Sequence, residues 1–243
     1  MSIYFLHIPR TSGIYVNHNV LPHLVSGGVK HFVSNRTHID LKKIKNSEYV
    51  SGHFATTPID IMNNPIVYSI VRDPVERYIS YFKYTTGVIR TKKEIYAKLD
   101  SWLYGDKVDI NSNMQSKFIT GKIDIDKFNS DLQIKNNQND NYRYLAVSNG
   151  WYLKDYSLNI KDIKQNLSNI KIYSLKNNKC FKNDFNNELN KQFGFTTFKI
   201  DHKDNSSFNI GIDFTKKQIK KIEELNQVDM ELYEYVQKIE KEY

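Results

Sequence analysis

The chain changes rhythm repeatedly between short unbroken apolar runs and amphipathic stretches, and those changes mark its elements. Residues 66–71, Ile-Val-Tyr-Ser-Ile-Val, carry β-branched side chains at positions that would face both sides of a strand. That pattern predicts a strand in the middle of a parallel sheet, covered on both faces. Residues 3–8 read as a second buried strand, and further strands are expected at 49–52 and 170–174. Helical spacing predicts helices over 14–24, 74–84, 92–103, 110–119, 160–167 and 181–193. The tail from 214 to 242 places Ile219, Ile222, Leu225, Leu232, Val236 and Ile239 on one stripe, a core-facing face by default. Two helix starts are chemically marked: Asp73 is a side-chain cap with Pro74 at the first helical position, and Thr215 is a cap for the tail. Alternating strands and helices argue for α/β layers around a parallel sheet.

Gly and Pro are scarce, 10 and 5 among 243 residues, and no linker-like stretch interrupts the pattern. A single domain over 1–243 is expected, with a variable or inserted substrate region at about 122–169. Its most polar part, 129–143, reads as an exposed loop. One cysteine, Cys180, excludes an internal disulfide framework and any zinc site needing two thiolates. The apolar run at 3–8 is interrupted by His7 and lacks the basic flank of a signal peptide, and no stretch reaches the length of a membrane span. A soluble cytoplasmic chain is the expectation, or a Golgi-lumen one if an anchor has been trimmed.

Charge narrows the partners without choosing among them. Thirty-five Lys and Arg against 27 Asp and Glu give +8, which suits nucleic acid, a phosphorylated cofactor, an acidic glycan or a membrane surface. No nucleic-acid-binding motif accompanies the charge, and the aromatic residues form no stacking platform, so nucleic acid is not expected as a partner. The histidines show no metal-ligand spacing, and no metal site is expected.

Two segments carry candidate chemistry. HIPRTSG at 7–13 follows the first strand and enters a helix, so its backbone N–H groups and the positive helix end suit a phosphate-like anion, with Arg10 adding charge. It is not a Walker A loop, because the Gly-x-x-x-x-Gly-Lys spacing is absent. The same residues also read as an ordinary strand–helix turn. VRDPVERYISYF at 71–82 follows the clearest strand. Arg72 lies at its carboxyl end, where open α/β sheets bind ligands. Arg77, Ser80, Tyr81 and Tyr84 share a helix face. Arg72 and Ser80 can converge on one phosphate. The alternative is a capped helix whose arginines pair with Asp73 and Glu76.

Together and in this order, the two segments resemble the 5′-phosphosulfate loop and the 3′-phosphate-binding strand–helix of sulfotransferases that use 3′-phosphoadenosine 5′-phosphosulfate (PAPS). The carbohydrate group that includes the heparan sulfate 2-O-sulfotransferases is the most similar. SGHF at 51–54 resembles the Gly-His segment that carries the catalytic base of that group, which points to His53. Asn113, Gln115 and Gly121 resemble an Asn-x-Gln…Gly stretch. KDNSSFN at 203–209 and DMELYEYV at 229–236 resemble the C-terminal loop and an Asp-x-x-Leu-Tyr helix.

The resemblance implies a P-loop-NTPase-like parallel sheet flanked by helices, the sulfotransferase fold, and sulfuryl transfer from PAPS to a carbohydrate hydroxyl. The product would be adenosine 3′,5′-bisphosphate. His53 is implied as general base and Arg10 as the charge on the leaving side. Arg10, Thr11, Ser12, Gly13, Arg72, Arg77, Ser80, Asn205, Ser206 and Ser207 are implied as nucleotide contacts, and Asn113 and Gln115 as substrate contacts. Three departures stand out: Arg10 replaces the family's lysine, Ser12 its first glycine, and Ile14-Tyr15 its Thr-Ser pair. Arg and Lys are not interchangeable at such sites. A nucleotide- or glycan-binding module with weakened chemistry is the alternative. His7 is expected to be structural, Tyr81 and Tyr84 to pack in the protein, and Lys216, Lys217, Lys220 and Lys221 to form a solvated face.

Overall fold

The computed structural model describes residues 1–34, 39–87, 91–105, 108–128, 152–195 and 213–241. Strand β1 (Ile3–Leu6) lies at the centre of a five-stranded parallel sheet. Its neighbours are β3 (Tyr49–Gly52) on one side and β4 (Ile66–Val71) on the other, with β2 (His31–Ser34) outside β3 and β7 (Ile170–Ser174) outside β4. All four residues of β1 are fully buried. Their alternation divides the core: Tyr4 and Leu6 join Val50 and Val67 on one face, while Ile3 and Phe5 join Tyr49 and Tyr68 on the other.

The first face is covered by α7 (Met114–Thr120), α8 (Ile160–Leu167) and α11 (Gln227–Ile239), through residues such as Phe118, Ile163 and Leu232. The second is covered by α1 (Gly13–Ser26) and α9 (Asn178–Phe193), through Val20, Leu24, Phe181 and Phe185. A sheet covered on both faces explains the continuous apolar strands. A third cluster joins α4 (Pro74–Thr86), α5 (Lys92–Tyr104) and α10 (Lys216–Leu225) around Tyr78, Phe82, Leu99, Trp102 and Ile222. There are also short helices α2 (Leu41–Lys45), α3 (Thr57–Ile61) and α6 (Val108–Asn111), and β5 (Lys122–Ile123) pairs antiparallel with β6 (Leu153–Lys154).

The α/β class and the parallel sheet are as the sequence predicts, and the architecture is compatible with a Rossmann- or P-loop-like fold. Both marked helix starts are present. Asp73 accepts from the Glu76 N–H at 2.9 Å, and Thr215 forms a capping box with Gln218.

Several expectations change. The first strand ends at Leu6 rather than residue 8. The helix expected over 110–119 is broken, because Asn113 adopts a left-handed conformation (φ 45°) and starts α7 afresh. The tail is two helices. Asn226 divides them, its side-chain amide donating to the Ile222 carbonyl at 2.8 Å. Strand β2, with only four residues and one buried side chain, gave too weak a period to predict. The polar stretch at 129–143 lies outside the described residues.

Strand order fixes where a ligand crevice opens. The chain leaves β1 toward the β2 side and leaves β4 toward β7, so the carboxyl ends of β1 and β4 form a topological switch point. Crevices at such points are where open α/β sheets bind ligands. Both candidate phosphate segments begin there. Among the described residues no helix is long and apolar enough to cross a membrane.

Candidate functional site at the β1–β4 switch point

The turn after β1 is shaped by two non-glycine residues in left-handed conformation, Arg10 (φ 69°) and Ser12 (φ 73°). Thr11 is buried and donates its hydroxyl to the Ile8 carbonyl at 2.8 Å, which closes the turn. Ser12 is the N-cap of α1, yet its side chain makes no capping bond. The first-turn N–H groups of a 14-residue helix are therefore left without that cap, and they attract an anion with the help of the helix dipole. Gly13 is required by close packing: a Cβ there would lie 1.9 Å from Cδ2 of His7.

On the β4 side, Arg72 is the first residue past the strand. Its guanidinium lies on Glu76, with Nε 3.2 Å and Nη2 3.1 Å from one carboxylate oxygen. The Glu76 side chain is 64% exposed, so this pair is worth about 0–1 kcal/mol and yields readily to a stronger anion. Ser80, one helical face along, accepts a 3.1 Å hydrogen bond from Nε of Arg10. The Arg10 guanidinium also stacks 4.9 Å from the centre of the Tyr84 ring. One side chain thus ties the β1 loop to α4.

Arg77 goes elsewhere. It is fully buried and donates through Nη2 to the Asn111 carbonyl at 3.2 Å, while its Nε and Nη1 have no hydrogen-bond partner among the described residues. Burial lowers its pKa and Asp229 opposes that shift. Sharing a helical face with Ser80 does not bring its guanidinium into the Arg10–Ser80 contact.

His53 follows β3 directly. The register places Leu6 opposite Gly52, so the next residues, His7 and His53, fall side by side with ring centres 4.4 Å apart. His53 is buried, its Nε2 has no hydrogen-bond partner among the described residues, and Phe118 meets it edge-on at 6.4 Å. Burial, with His7 as a secondary cause, pushes the His53 pKa well below its ordinary value. The imidazole is consequently neutral at neutral pH, so one of its ring nitrogens carries a lone pair able to accept a proton. His7, expected to be structural, is the neighbour of the candidate base.

Asn113 and Gln115 face inward. The Asn113 N–H donates to Oδ1 of Asn226 at 3.0 Å, and its own Oδ1 accepts from the Asp229 N–H at 3.2 Å. Gln115 is fully buried and spends both ends of its amide on the Arg72 main chain. The bonds shown for both side chains lie within the protein. Asn205, Ser206 and Ser207 lie outside the described residues. Sequence reading missed Tyr84 as the Arg10 platform, and it missed Asn226 and Asp229 as caps. Asp229 stood out in the sequence only as the first residue of the Asp-x-x-Leu-Tyr resemblance, and Asn226 only by its polar character beside an apolar stripe.

Compared with models of known protein families and with curated proteins, the chain matches none.

Proposed function

We propose that this protein is a PAPS-dependent sulfotransferase acting on a carbohydrate hydroxyl. The observation that carries the reading is the meeting of the two phosphate-type segments at the β1–β4 switch point, joined by the 3.1 Å bond from Arg10 to Ser80. The donor fits the residues present. Arg10 and a helix start without a side-chain cap from Ser12 suit the phosphosulfate end, Arg72 and Ser80 suit the 3′-phosphate, and His53, whose Nε2 has no hydrogen-bond partner among the described residues, suits an acceptor proton.

When bound, PAPS supplies the sulfuryl group and a phosphate leaving group. The protein's part is positioning and charge stabilisation, as in phosphoryl transfer. His53 takes the acceptor hydroxyl proton as the new O–S bond forms and the S–O bond to phosphate breaks. General-base help of this kind is typically worth roughly 100- to 10,000-fold. Arg10 and the α1 amino end hold the charge released on the leaving phosphate. Arg72 and Ser80 anchor the nucleotide by its 3′-phosphate, and the lysine surplus suits an acidic glycan.

The test is incubation with PAPS and a panel of glycans, with release of adenosine 3′,5′-bisphosphate as the signal. His53→Ala is expected to abolish transfer with nucleotide affinity within a few-fold of wild type, whereas Arg72→Ala weakens nucleotide binding. Absence of nucleotide binding by calorimetry at millimolar concentration overturns the reading.

A second reading is a nucleotide- or glycan-binding module without efficient transfer. It is favoured by the enclosure of His53, 4% exposed, and by arginine at position 10. Arg10→Lys separates the two, since a large gain in turnover marks an enzyme with impaired chemistry.

A further inference from the structure

We infer that Gln115 is a positioning residue that fixes Arg72 for anion binding, and that Asn226 and Asp229 hold Gln115 in place. Arg72 lies just beyond the paired part of β4: the ladder to β1 ends at Ser69 and the ladder to β7 at Val71. Its N–H and C=O have lost their strand neighbours. The Gln115 side chain replaces them, Oε1 accepting from the Arg72 N–H at 2.8 Å and Nε2 donating to the Arg72 carbonyl at 2.9 Å. A primary amide offers a donor and an acceptor side by side on one planar group and stays neutral across the working pH range. The effect is to prolong the order of the sheet by one residue at the ligand-facing end.

Gln115 is itself tied down from the far end of the chain. Its N–H donates to Oδ2 of Asp229 at 3.0 Å. The N–H and hydroxyl of Ser116 both donate to Oδ1 of Asp229, at 2.7 and 2.6 Å. Asn226 caps the residue before α7 from the same side. Gln115, Ser116, Asn226 and Asp229 are all fully buried, so water does not compete for these bonds. A path of hydrogen bonds therefore runs from the start of α11 through the start of α7 to the Arg72 main chain. Holding the backbone of an anion-binding arginine before the ligand arrives reduces the ordering cost of binding.

This assignment rests on the proposed 3′-phosphate role of Arg72, and the experiment separates the two. Binding of adenosine 3′,5′-bisphosphate and of adenosine 5′-monophosphate is measured by calorimetry for wild type and Gln115→Leu, and amide exchange at Arg72 is measured without nucleotide. The expected result is faster exchange at Arg72 and about a tenfold loss of preference for the bisphosphate, with monophosphate affinity little changed. A purely structural role would weaken both nucleotides alike.

Unchanged exchange at Arg72, or a preference retained in the variant, overturns the positioning role. If wild type shows no preference while exchange at Arg72 rises in the variant, the nucleotide reading falls and the anchoring of Arg72 stands. Gln115→Glu serves if the leucine variant does not fold. Its carboxyl reproduces both bonds only when protonated, so the bisphosphate preference is expected to recover as pH falls. A preference independent of pH in that variant counts against the role.

Discussion

Individual residues at the switch point carry conformational and electrostatic costs that can be measured singly. Ser12 sits at φ 73° where a glycine would be unstrained. A left-handed L-residue costs roughly 1–2 kcal/mol, and glycine's extra freedom in the unfolded chain returns about 0.4–1 kcal/mol of that. Ser12→Gly is therefore expected to stabilise the protein by roughly 0.5–1 kcal/mol in thermal or urea unfolding. His53 gives a pH signature. Its folded pKa is depressed, so the unfolded chain binds the extra proton first as pH falls below about 6.5. Its contribution to stability is fully present above that value and is lost between it and the lower folded pKa, at up to about 1.4 kcal/mol per pH unit. Urea unfolding of wild type and His53→Gln between pH 7.5 and 5 should show a steeper loss in wild type. Equal slopes would mean that the ring is not held neutral.

Between elements, the decisive feature is the mutual capping of α7 and α11. Asp229 serves two N–H groups and a hydroxyl of α7, and Asn113 returns a bond to the first turn of α11. Asp229 also supports the buried charge of Arg77. Removing a carboxylate from such a setting strands both the α7 donors and the guanidinium. Asp229→Ala is expected to cost roughly 3–5 kcal/mol in urea unfolding. Helix existence was legible in the sequence here, since Phe118, Leu232 and Val236 fall on apolar stripes. The breaks at Asn113 and Asn226 were not legible, because each depends on a partner more than 100 residues away. The Asp73 and Thr215 caps were read correctly because their partners lie three residues on.

For the whole molecule, the sheet order turns two separate sequence segments into one crevice. Under the proposed function, a nucleotide bound across it would stabilise the folded state by mass action. Adenosine 3′,5′-bisphosphate at a hundred times its Kd is expected to add about 2.7 kcal/mol, raising Tm by roughly 5–10 °C, and Arg72→Ala at the same concentration should lose most of that shift. Local sequence was enough to read the alternation of strands and helices, the marked helix starts, and the placing of Arg10 and Arg72 just past strand ends. Each of these follows from backbone sterics, side-chain period or capping within a few residues. It took the folded arrangement to set His7 against His53, to bring Arg10 to Ser80 while Arg77 turns inward, and to let Gln115 hold the Arg72 main chain across 43 residues of sequence. Such contacts depend on strand order and helix packing, and local periodicity carries no information about which distant residues those will bring together.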